Sequence, residues 1–303
     1  MSIIPNLYIP GAARSATTFI ASTLSASPEI YSPEIKESHY MASGFIPGPL
    51  HKDDPFFEYE KYIIRDRDAY LKKFDNTNNS RFILDASPTY LFYSGTAEIV
   101  RAHCPDARII ISLRNPTERA FSQYKLNVRL GNESLDFSEA LNVESERLKK
   151  GFFMATSYKT AGLYSEQVQE YIKVFGKDNI HFVLFEDIRK NTLGAIKGIF
   201  KFLNIEFRES YLREAKTHAT GFPAFRRFNN LLYNRKLREF AKRIIKNNSF
   251  RNRINSSIIN INSKDITMDP AVRRQLDAFY KDDIERLENI IGISLAGWTD
   301  KEK

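Results

Sequence analysis

The sequence predicts an α/β fold class: a single domain with a central, mostly parallel sheet flanked by helices and with a helical C-terminal part. Short apolar runs rich in Ile, Val, Leu and Phe alternate with helical patterns along the chain, which is typical of a parallel sheet covered on both faces. The chain has 303 residues, of which 42% are hydrophobic, and this is enough for one sizeable core. Because no Pro/Gly/Ser-rich linker and no internal repeat interrupts it, we predict one domain over residues 1–303.

Four apolar runs are the candidate strands. They are Asn6–Pro10, Arg81–Asp85, Arg108–Leu113 and Ile180–Phe185. A helical pattern (TTFIASTLSAS) follows the first run, a second helix is predicted from about Pro116 to Arg129, and an amphipathic helix over Leu163–Phe175 precedes the fourth run. Pro116 is well placed to begin its helix, since the fixed φ of proline suits the first helical position.

The sequence after about residue 207 is mostly helical in pattern. We expect residues 207–291 to form a helical extension packed on the domain. Its longest helix is predicted over Pro270–Ile291, where apolar residues recur at a spacing of three or four and form a buried stripe.

The net charge of +8 has a local origin. Residues 226–253 contain ten Lys and Arg residues and one acidic residue, Glu239. Such a segment fits an anionic ligand, an acidic polymer or a membrane surface, and it fits a solvated helical face equally well. No DNA- or RNA-binding motif accompanies it, so a nucleic-acid partner is disfavoured.

Three features of the sequence bear on the cellular location of the protein. The single cysteine, Cys104, excludes an intrachain disulfide and suits a reducing compartment. The first ten residues lack the basic start and the long apolar run of a signal peptide. No window approaches 18 consecutive apolar residues, so we expect no transmembrane segment and predict a cytoplasmic protein.

The first motif that indicates chemistry is the turn Gly11–Thr18, between the first strand and its helix. Backbone N–H groups at a helix start attract anions, the hydroxyls of Ser15, Thr17 and Thr18 add donors, and Arg14 adds a planar fork suited to phosphate or sulfate. An ordinary helix cap would explain the Ser and Thr residues as well. The turn lacks the Lys-[Ser/Thr] pair of nucleoside triphosphatases, and Asp85 is the only clear strand-end carboxylate for magnesium.

The second motif is Arg114–Tyr124. Arg114 ends a strand, where open α/β sheets bind their ligands, and Ser122 lies about two helical turns further on. The two side chains are therefore candidates to hold a second phosphate together. For Arg119 we expect a salt bridge.

In these two motifs the chain resembles the sulfotransferases that use 3′-phosphoadenosine 5′-phosphosulfate (PAPS), and it is most similar to the bacterial, heparan-sulfate and tyrosylprotein types. The family's 5′-phosphosulfate loop reads about P-[KR]-S-G-T-T, and Ala13–Thr18 reads ARSATT. The family's 3′-phosphate motif reads R-[DN]-P-x-x-R-x-x-S-x-Y, which Arg114–Tyr124 matches at every fixed position.

The resemblance continues, in the family's order, over almost the whole chain. The further elements are Lys36–Tyr40 for K-E-x-H-[FY], Asp85–Tyr90 for E-x-[ST]-P-x-Y, Gly162–Tyr164 for G-x-Y, Phe185–Ile188 for Y-E-D-L, and Gly297-Trp298 for the C-terminal tryptophan. Two residues depart from the pattern: Arg14 replaces the Lys of many members, and Ala16 replaces the usual Gly. If position 16 needs a positive φ, its Cβ would cost about 1 kcal/mol.

The resemblance implies roles for several residues. Arg14 and Ser15–Thr18 would bind the 5′-phosphosulfate of PAPS, with Arg14 assisting the leaving group, and Arg114 with Ser122 would bind the 3′-phosphate. Glu37 is the candidate general base, and His39 is either a second candidate or a structural hydrogen-bonding residue. Tyr164 either supports the cofactor or packs in the core, and Lys216 precedes a loop that we expect to cover the cofactor. No metal is implied.

Three functions stay open on the sequence. The favoured one is transfer of a sulfuryl group from PAPS, with release of 3′,5′-adenosine bisphosphate (PAP), to a hydroxyl or amine of a small-molecule or carbohydrate-like acceptor. The irregular segment 45–59, rich in Pro, Gly and aromatic residues, is expected to border the acceptor. The alternatives are a metal-dependent phosphate-loop kinase and a non-catalytic protein that binds nucleotides or polyanions.

Overall fold

A five-stranded, entirely parallel sheet forms the centre of the protein. A computed structural model describes residues 4–33, 37–75, 77, 79–212, 222–223, 263–264 and 267–299. The strands lie in the order β2-β3-β1-β4-β5. They are β1 (Leu7–Tyr8), β2 (Ile30–Tyr31), β3 (Phe82–Asp85), β4 (Arg108–Leu113) and β5 (Ile180–Leu184).

The four predicted strands are confirmed, and β2 is an additional strand. Its two residues pair with Phe82 and Ile83 of β3. A run this short, directly after Ser27-Pro28-Glu29, shows no periodicity of its own, so its strand conformation depends on the neighbouring β3. A separate antiparallel pair joins Phe222–Pro223 to Ser263–Lys264.

Helices cover both faces of the sheet. They are α1 (Thr17–Leu24), α2 (Arg67–Leu71), α3 (Thr89–Phe92), α4 (Thr96–His103), α5 (Pro116–Leu130), α6 (Phe137–Asn142), α7 (Glu144–Lys149), α8 (Tyr164–Phe175), α9 (Phe185–Lys190), α10 (Thr192–Leu203), α11 (Pro270–Ile291) and α12 (Ala296–Thr299). The helices predicted after the first strand, from Pro116, before the fourth strand and over Pro270–Ile291 are thereby confirmed. The segment 45–59 is mostly irregular and runs into a 3-10 helix over Phe57–Tyr62.

The alternation of side chains along each strand divides the core into two layers. Leu7, Leu84 and Ile110 point to one face and pack against α1, α9 and α10. The other face carries the side chains of Tyr8, Ile83, Ile109 and Ile111. Helices α4, α5, α8 and α11 cover it. Because successive strand residues face opposite sides and both sides are buried, the strands read as continuous apolar runs.

The parallel strands place all their carboxyl ends at one edge of the sheet. The turn after β1, the residues after β3, Arg114 after β4 and Phe185 after β5 therefore meet there. Open α/β sheets bind ligands at this edge. In the described part of the chain, no helix is long and apolar enough to cross a membrane. Lys216 and the basic segment 226–253 lie outside the described residues.

Candidate active site

The turn after β1 is attached to β4 by reciprocal hydrogen bonds. The Ala12 N–H donates to the Ser112 carbonyl over 2.8 Å, and the Ser15 hydroxyl donates to the same oxygen over 2.9 Å. The Ser112 hydroxyl donates in return to the Ser15 carbonyl. A Cβ on Gly11 would collide with Thr17 and lie 3.2 Å from Ser112 Cβ, so only glycine allows the turn to approach β4 this closely.

Two residues of this turn adopt the left-handed backbone conformation. The φ angles are 73° at Arg14 and 69° at Ala16, which is the N-cap residue of α1. Alternation of left- and right-handed residues directs successive N–H groups into one concave surface, which favours anions. Helix α1 has no acidic residue in its first turn, and its N-cap residue provides no side-chain capping hydrogen bond, so its positive end also favours an anion.

The two motifs of the sequence meet at this turn. Arg14 Nε donates to the Ser122 hydroxyl over 3.2 Å, and the Arg114 guanidinium donates to the Arg14 carbonyl over 3.1 Å. Burial lowers the pKa of Arg14, and the positive charges of Arg114 and Arg129 lower it further. Arginines that approach each other in this way fit an anionic ligand with several negative charges, because such a ligand would relieve their repulsion.

Arg114 is held from several sides. Its guanidinium lies over the Phe185 ring at 4.3 Å, and the Tyr164 hydroxyl donates to its carbonyl over 3.0 Å. Its buried Nε has no hydrogen-bond partner within the part of the chain that the structure describes. A cavity of about 400 Å³ borders it, lined also by Glu118, Glu186 and Arg189. The Arg114 side chain is thus positioned beside a polar cavity with donor capacity left over.

Tyr164 and Arg119 are buried beneath the region around Arg114. Tyr164 is fully buried, packs edge-on against Trp298, and reaches the site through its hydrogen bond to Arg114. Arg119 is also buried, and it donates to the carbonyls of Ser157 and Tyr158 instead of forming the expected salt bridge. A guanidinium with several donors can saturate carbonyl groups of a neighbouring loop in this way.

The carboxyl end of β3 anchors the segment that carries Glu37 and His39. The Asp85 carboxylate accepts hydrogen bonds from Tyr70 at 2.8 Å, from Tyr90 at 2.7 Å and from Ser38 at 3.3 Å. Burial raises the pKa of Asp85 although these hydroxyls act in the opposite direction. Asp85 thus fixes the segment 38–39 against the sheet, and its oxygens are engaged within the protein.

His39 occupies a strained and enclosed position. Its φ is 57°, its side chain is buried, and its N–H donates to the Ser87 hydroxyl over 3.2 Å. Nδ1 lies 3.0 Å from the Thr89 hydroxyl and Nε2 lies 3.1 Å from the Tyr59 hydroxyl. A non-glycine residue in this conformation persists only where its surroundings hold it, and such residues cluster at functional sites.

Glu37 is half-buried, and its carboxylate lies near enough to Tyr59 for its charge to act on the phenol. Burial raises the pKa of Tyr59, and the negative charge of Glu37 and the proximity of Tyr62 raise it further. Tyr59 therefore keeps its proton, and its hydroxyl lies 3.1 Å from His39 Nε2. The sequence interpretation did not single out Tyr59; the aromatic character of the segment 45–59 was the available signal.

Comparison with known proteins identifies the family. The family model of the sulfotransferase domain matches residues 5–290. A crystal structure of a sulfotransferase from Alicyclobacillus acidocaldarius is 30% identical, with a TM-score of 0.75, and covers 98% of this chain and 99% of that chain.

Two curated relatives match at lower identity. The bifunctional heparan sulfate N-deacetylase/N-sulfotransferase 1 of Caenorhabditis briggsae is 26% identical over 212 residues, and the human carbohydrate sulfotransferase 15 is 24% identical over 252 residues. Each match covers 67% of this chain but only 23% and 44% of the respective relative, so the chain spans less than half the length of these proteins. Together with the parallel sheet and the two joined motifs, these findings show that the chain belongs to the sulfotransferase family, a family of enzymes that transfer sulfuryl groups.

Proposed function

We propose that this protein transfers a sulfuryl group from PAPS to a hydroxyl or amine of a small-molecule or carbohydrate-like acceptor. The observation that carries the proposal is the meeting of Arg14, Ser122 and Arg114 at the start of α1. A donor with a 5′-phosphosulfate and a 3′-phosphate has two anionic groups, and the site has two arginines on two separate turns. The donor would supply an activated sulfuryl group; the bond from its sulfur to the bridging phosphate oxygen breaks, and that oxygen leaves with PAP and carries the negative charge.

Each residue of the site has a role in this proposal. Arg14 and the N–H groups of residues 16–18 bind the 5′-phosphosulfate and stabilise charge on the leaving oxygen, whereas the Ser15 N–H donates to the Ala12 carbonyl and shapes the turn. Arg114 binds the 3′-phosphate through the side of its guanidinium that borders the polar cavity. Ser122 already accepts from Arg14, so it orients that guanidinium and offers its own proton to a ligand oxygen.

Glu37 is proposed as the general base. A carboxylate in hydrogen-bond reach of the acceptor takes the proton that the attacking hydroxyl or amine loses. His39 is proposed as a structural residue, because both of its ring nitrogens lie within hydrogen-bond distance of hydroxyl groups. The printed names of the relatives, heparan sulfate and carbohydrate sulfotransferases, support a carbohydrate-like acceptor. The role of Lys216, a role of residues 226–253 toward an acidic or membrane-borne acceptor, and the cytoplasmic location stay predictions.

Calorimetric titration with PAP tests the donor. We expect micromolar binding of PAP and at least tenfold weaker binding of ATP with magnesium, because ATP lacks the 3′-phosphate. Preference for ATP with magnesium would instead support the phosphate-loop kinase. Binding of PAP without transfer from radiolabelled PAPS to a panel of phenols, amines and desulfated heparan sulfate would support the non-catalytic alternative.

Arg114→Ala tests the 3′-phosphate assignment. The substitution removes the charged, partly buried guanidinium that is proposed to contact the 3′-phosphate. It should weaken PAP binding by at least a hundredfold, which corresponds to about 3 kcal/mol. Arg101→Ala, at an exposed arginine on α4, is the matched control and should leave binding unchanged. Equal affinity of the Arg114→Ala variant and the wild type would contradict the assignment.

Glu37→Ala tests the base. The variant should bind PAP like the wild type and lose at least 99% of turnover, since general-base catalysis contributes about 10²–10⁴-fold. Glu58→Ala removes an exposed carboxylate from the nearby 3-10 helix and should keep full activity. Full turnover by the Glu37→Ala variant would move the base elsewhere, with His39 examined next.

A further inference from the structure

The peptide unit that joins Arg114 to Asn115 is held at both of its polar groups. Its carbonyl oxygen accepts from the Tyr164 hydroxyl over 3.0 Å, and its N–H donates to the Glu186 carboxylate over 3.1 Å. The two partners come from other elements, Tyr164 from α8 and Glu186 from α9. The backbone from which the Arg114 side chain extends is therefore fixed by two helices.

The Asn115 side chain connects the same backbone to the C-terminal helix α12. Its Oδ1 accepts from the Glu118 N–H over 3.0 Å and caps α5, and its Nδ2 donates to the Trp298 carbonyl over 3.0 Å. The family motif allows Asp or Asn at this position, and only the Asn side chain supplies both an acceptor and an amide donor. This chain therefore has a contact between the Arg114–Tyr124 motif and α12 that an aspartate carboxylate could not make.

Trp298 is anchored so that its carbonyl meets Asn115. Its side chain is 4% exposed, and its ring packs edge-on against the Tyr164 ring, with 6.2 Å between the centroids. The Leu295 N–H donates to the Glu288 carboxylate of α11 over 2.6 Å, which connects the residues before α12 to the long helix. The position of the Trp298 carbonyl thus depends on the packing of its ring.

Helix α12 also borders the cavity beside Arg114. Gly297, the residue before Trp298, lines the cavity of about 400 Å³ together with Arg114. The contacts described above form a closed ring next to this cavity, which runs through Arg114, Tyr164, Trp298 and Asn115. A guanidinium whose backbone is held in this way can keep one orientation toward a ligand.

We infer that Trp298 is a positioning residue of the donor site, which acts through Asn115 and Tyr164 to hold Arg114 against the 3′-phosphate of the donor. The inference rests on the proposed assignment of the 3′-phosphate to Arg114. It adds the C-terminal helix α12 to the donor site. Because Trp298 acts through Arg114, its loss should weaken ligands that carry a 3′-phosphate and should not affect ligands that lack one.

Calorimetric titration with PAP and with adenosine 5′-monophosphate (AMP) tests this selectivity, because AMP differs from PAP only by the missing 3′-phosphate. The wild type should bind PAP at least a hundredfold more tightly than AMP. In Trp298→Ala the affinity for PAP should fall at least tenfold, whereas the affinity for AMP should stay within twofold of the wild type. Trp298→Phe keeps an aromatic ring against Tyr164 and should restore PAP affinity to within threefold of the wild type.

Asn115→Ser tests the same contact if Trp298→Ala does not fold. The serine hydroxyl still caps α5, but serine lacks the amide that donates to the Trp298 carbonyl. PAP affinity should fall at least threefold and AMP affinity should stay unchanged. In an Arg114→Ala background, Asn115→Ser should cause no further loss. Thr299→Ala, at an exposed residue of α12, is the matched control and should change neither affinity.

Trp298 is the single tryptophan of the chain, so its fluorescence reports on α12 without any acceptor. Acrylamide should quench this fluorescence weakly in the wild type, where the side chain is buried, and more strongly in Asn115→Ser. Coupling between two sites is reciprocal. PAP should therefore lower the quenching of Asn115→Ser toward the wild-type value, and AMP should leave it unchanged.

The outcomes separate this inference from the proposed function. If the wild type prefers PAP over AMP and Asn115→Ser keeps that preference in full, the inference is wrong and the 3′-phosphate assignment stands. Equal losses of PAP and AMP affinity in Asn115→Ser, or quenching that AMP lowers as much as PAP does, would also overturn it. If the wild type itself binds PAP no more tightly than AMP, the 3′-phosphate assignment is wrong, and the inference falls with it.

Discussion

At the scale of single residues, the turn Gly11–Thr18 contains an alanine in a conformation that suits glycine. Ala16 has a φ of 69° and begins α1. A Cβ in the left-handed region costs roughly 1–2 kcal/mol. The chain tolerates this because Ser15 and Ser112 bind the neighbouring backbone from both sides. The departure from the family pattern is therefore a local strain in this turn.

Ala16→Gly should relieve this strain. We expect the free energy of unfolding to rise by about 0.5–1 kcal/mol, since the gain from losing the Cβ exceeds the larger backbone entropy of glycine in the unfolded chain. Urea unfolding monitored by fluorescence measures the change. Ala13→Gly is the control, because Ala13 is not among the positive-φ residues, and it should lower stability instead. Similar effects of the two substitutions would argue against strain at position 16.

At the scale of elements, helix α8 obtains its N-terminal cap from a distant helix. The N-cap residue of α8 is Leu163, whose side chain provides no capping hydrogen bond. Instead Asp283 of α11, which is 3% exposed, accepts from the Tyr164 N–H over 2.7 Å and from the Ser165 N–H over 3.3 Å. Because the Tyr164 hydroxyl donates to the Arg114 carbonyl, this carboxylate connects α11 to Arg114.

Asp283→Ala should therefore destabilise the protein and affect the site. The buried N–H groups of Tyr164 and Ser165 would lose their acceptor, which should lower the free energy of unfolding by roughly 3 kcal/mol. PAP affinity should also fall severalfold as Arg114 loses its support. Asp282→Ala changes the adjacent, exposed residue of the same helix and should alter neither quantity. An Asp283→Ala variant as stable as this control would exclude the capping role.

At the scale of the whole molecule, two buried carboxylates make opposite contributions to the pH dependence of stability. Burial raises the pKa of Asp85 despite hydroxyl donors and Lys73. Burial also acts to raise the pKa of Glu133, but the hydrogen bond and charge of Arg147 outweigh it and lower the pKa. The folded state thus binds a proton at Asp85 more tightly than the unfolded chain does, and at Glu133 less tightly.

These directions predict opposite pH trends for two isosteric substitutions. The stability contributed by Asp85 is lost as the pH rises above the ordinary aspartate value of about 4. The loss caused by Asp85→Asn should therefore shrink from pH 4 to pH 7. The contribution of Glu133 is present above the ordinary glutamate value of about 4.3 and is lost below it, so the loss caused by Glu133→Gln should shrink as the pH falls. Urea unfolding across this range measures both, and parallel trends would contradict the prediction.

The order of strands and helices was predictable because its signals are local. The apolar runs of β1, β3, β4 and β5 and the stripe along α11 are each visible within a few residues. The two-residue strand β2 was not predictable, because its conformation depends on its pairing with β3. The buried position of Arg119 was also missed, since a charged residue on a helix is most often exposed.

The sequence by itself determined the fold class, the family resemblance and the residue types of the two motifs Gly11–Thr18 and Arg114–Tyr124, because these depend on short patterns in the right order. Only the tertiary structure decided which of these residues meet. Arg14 and Ser122 are 108 positions apart, and Asp283 and Tyr164 are 119 positions apart. His39 and Tyr59 lie within hydrogen-bond distance although no motif connects them. Contacts of this kind depend on how parallel strands bring their carboxyl ends together, which is a property of the packed sheet and of no single segment.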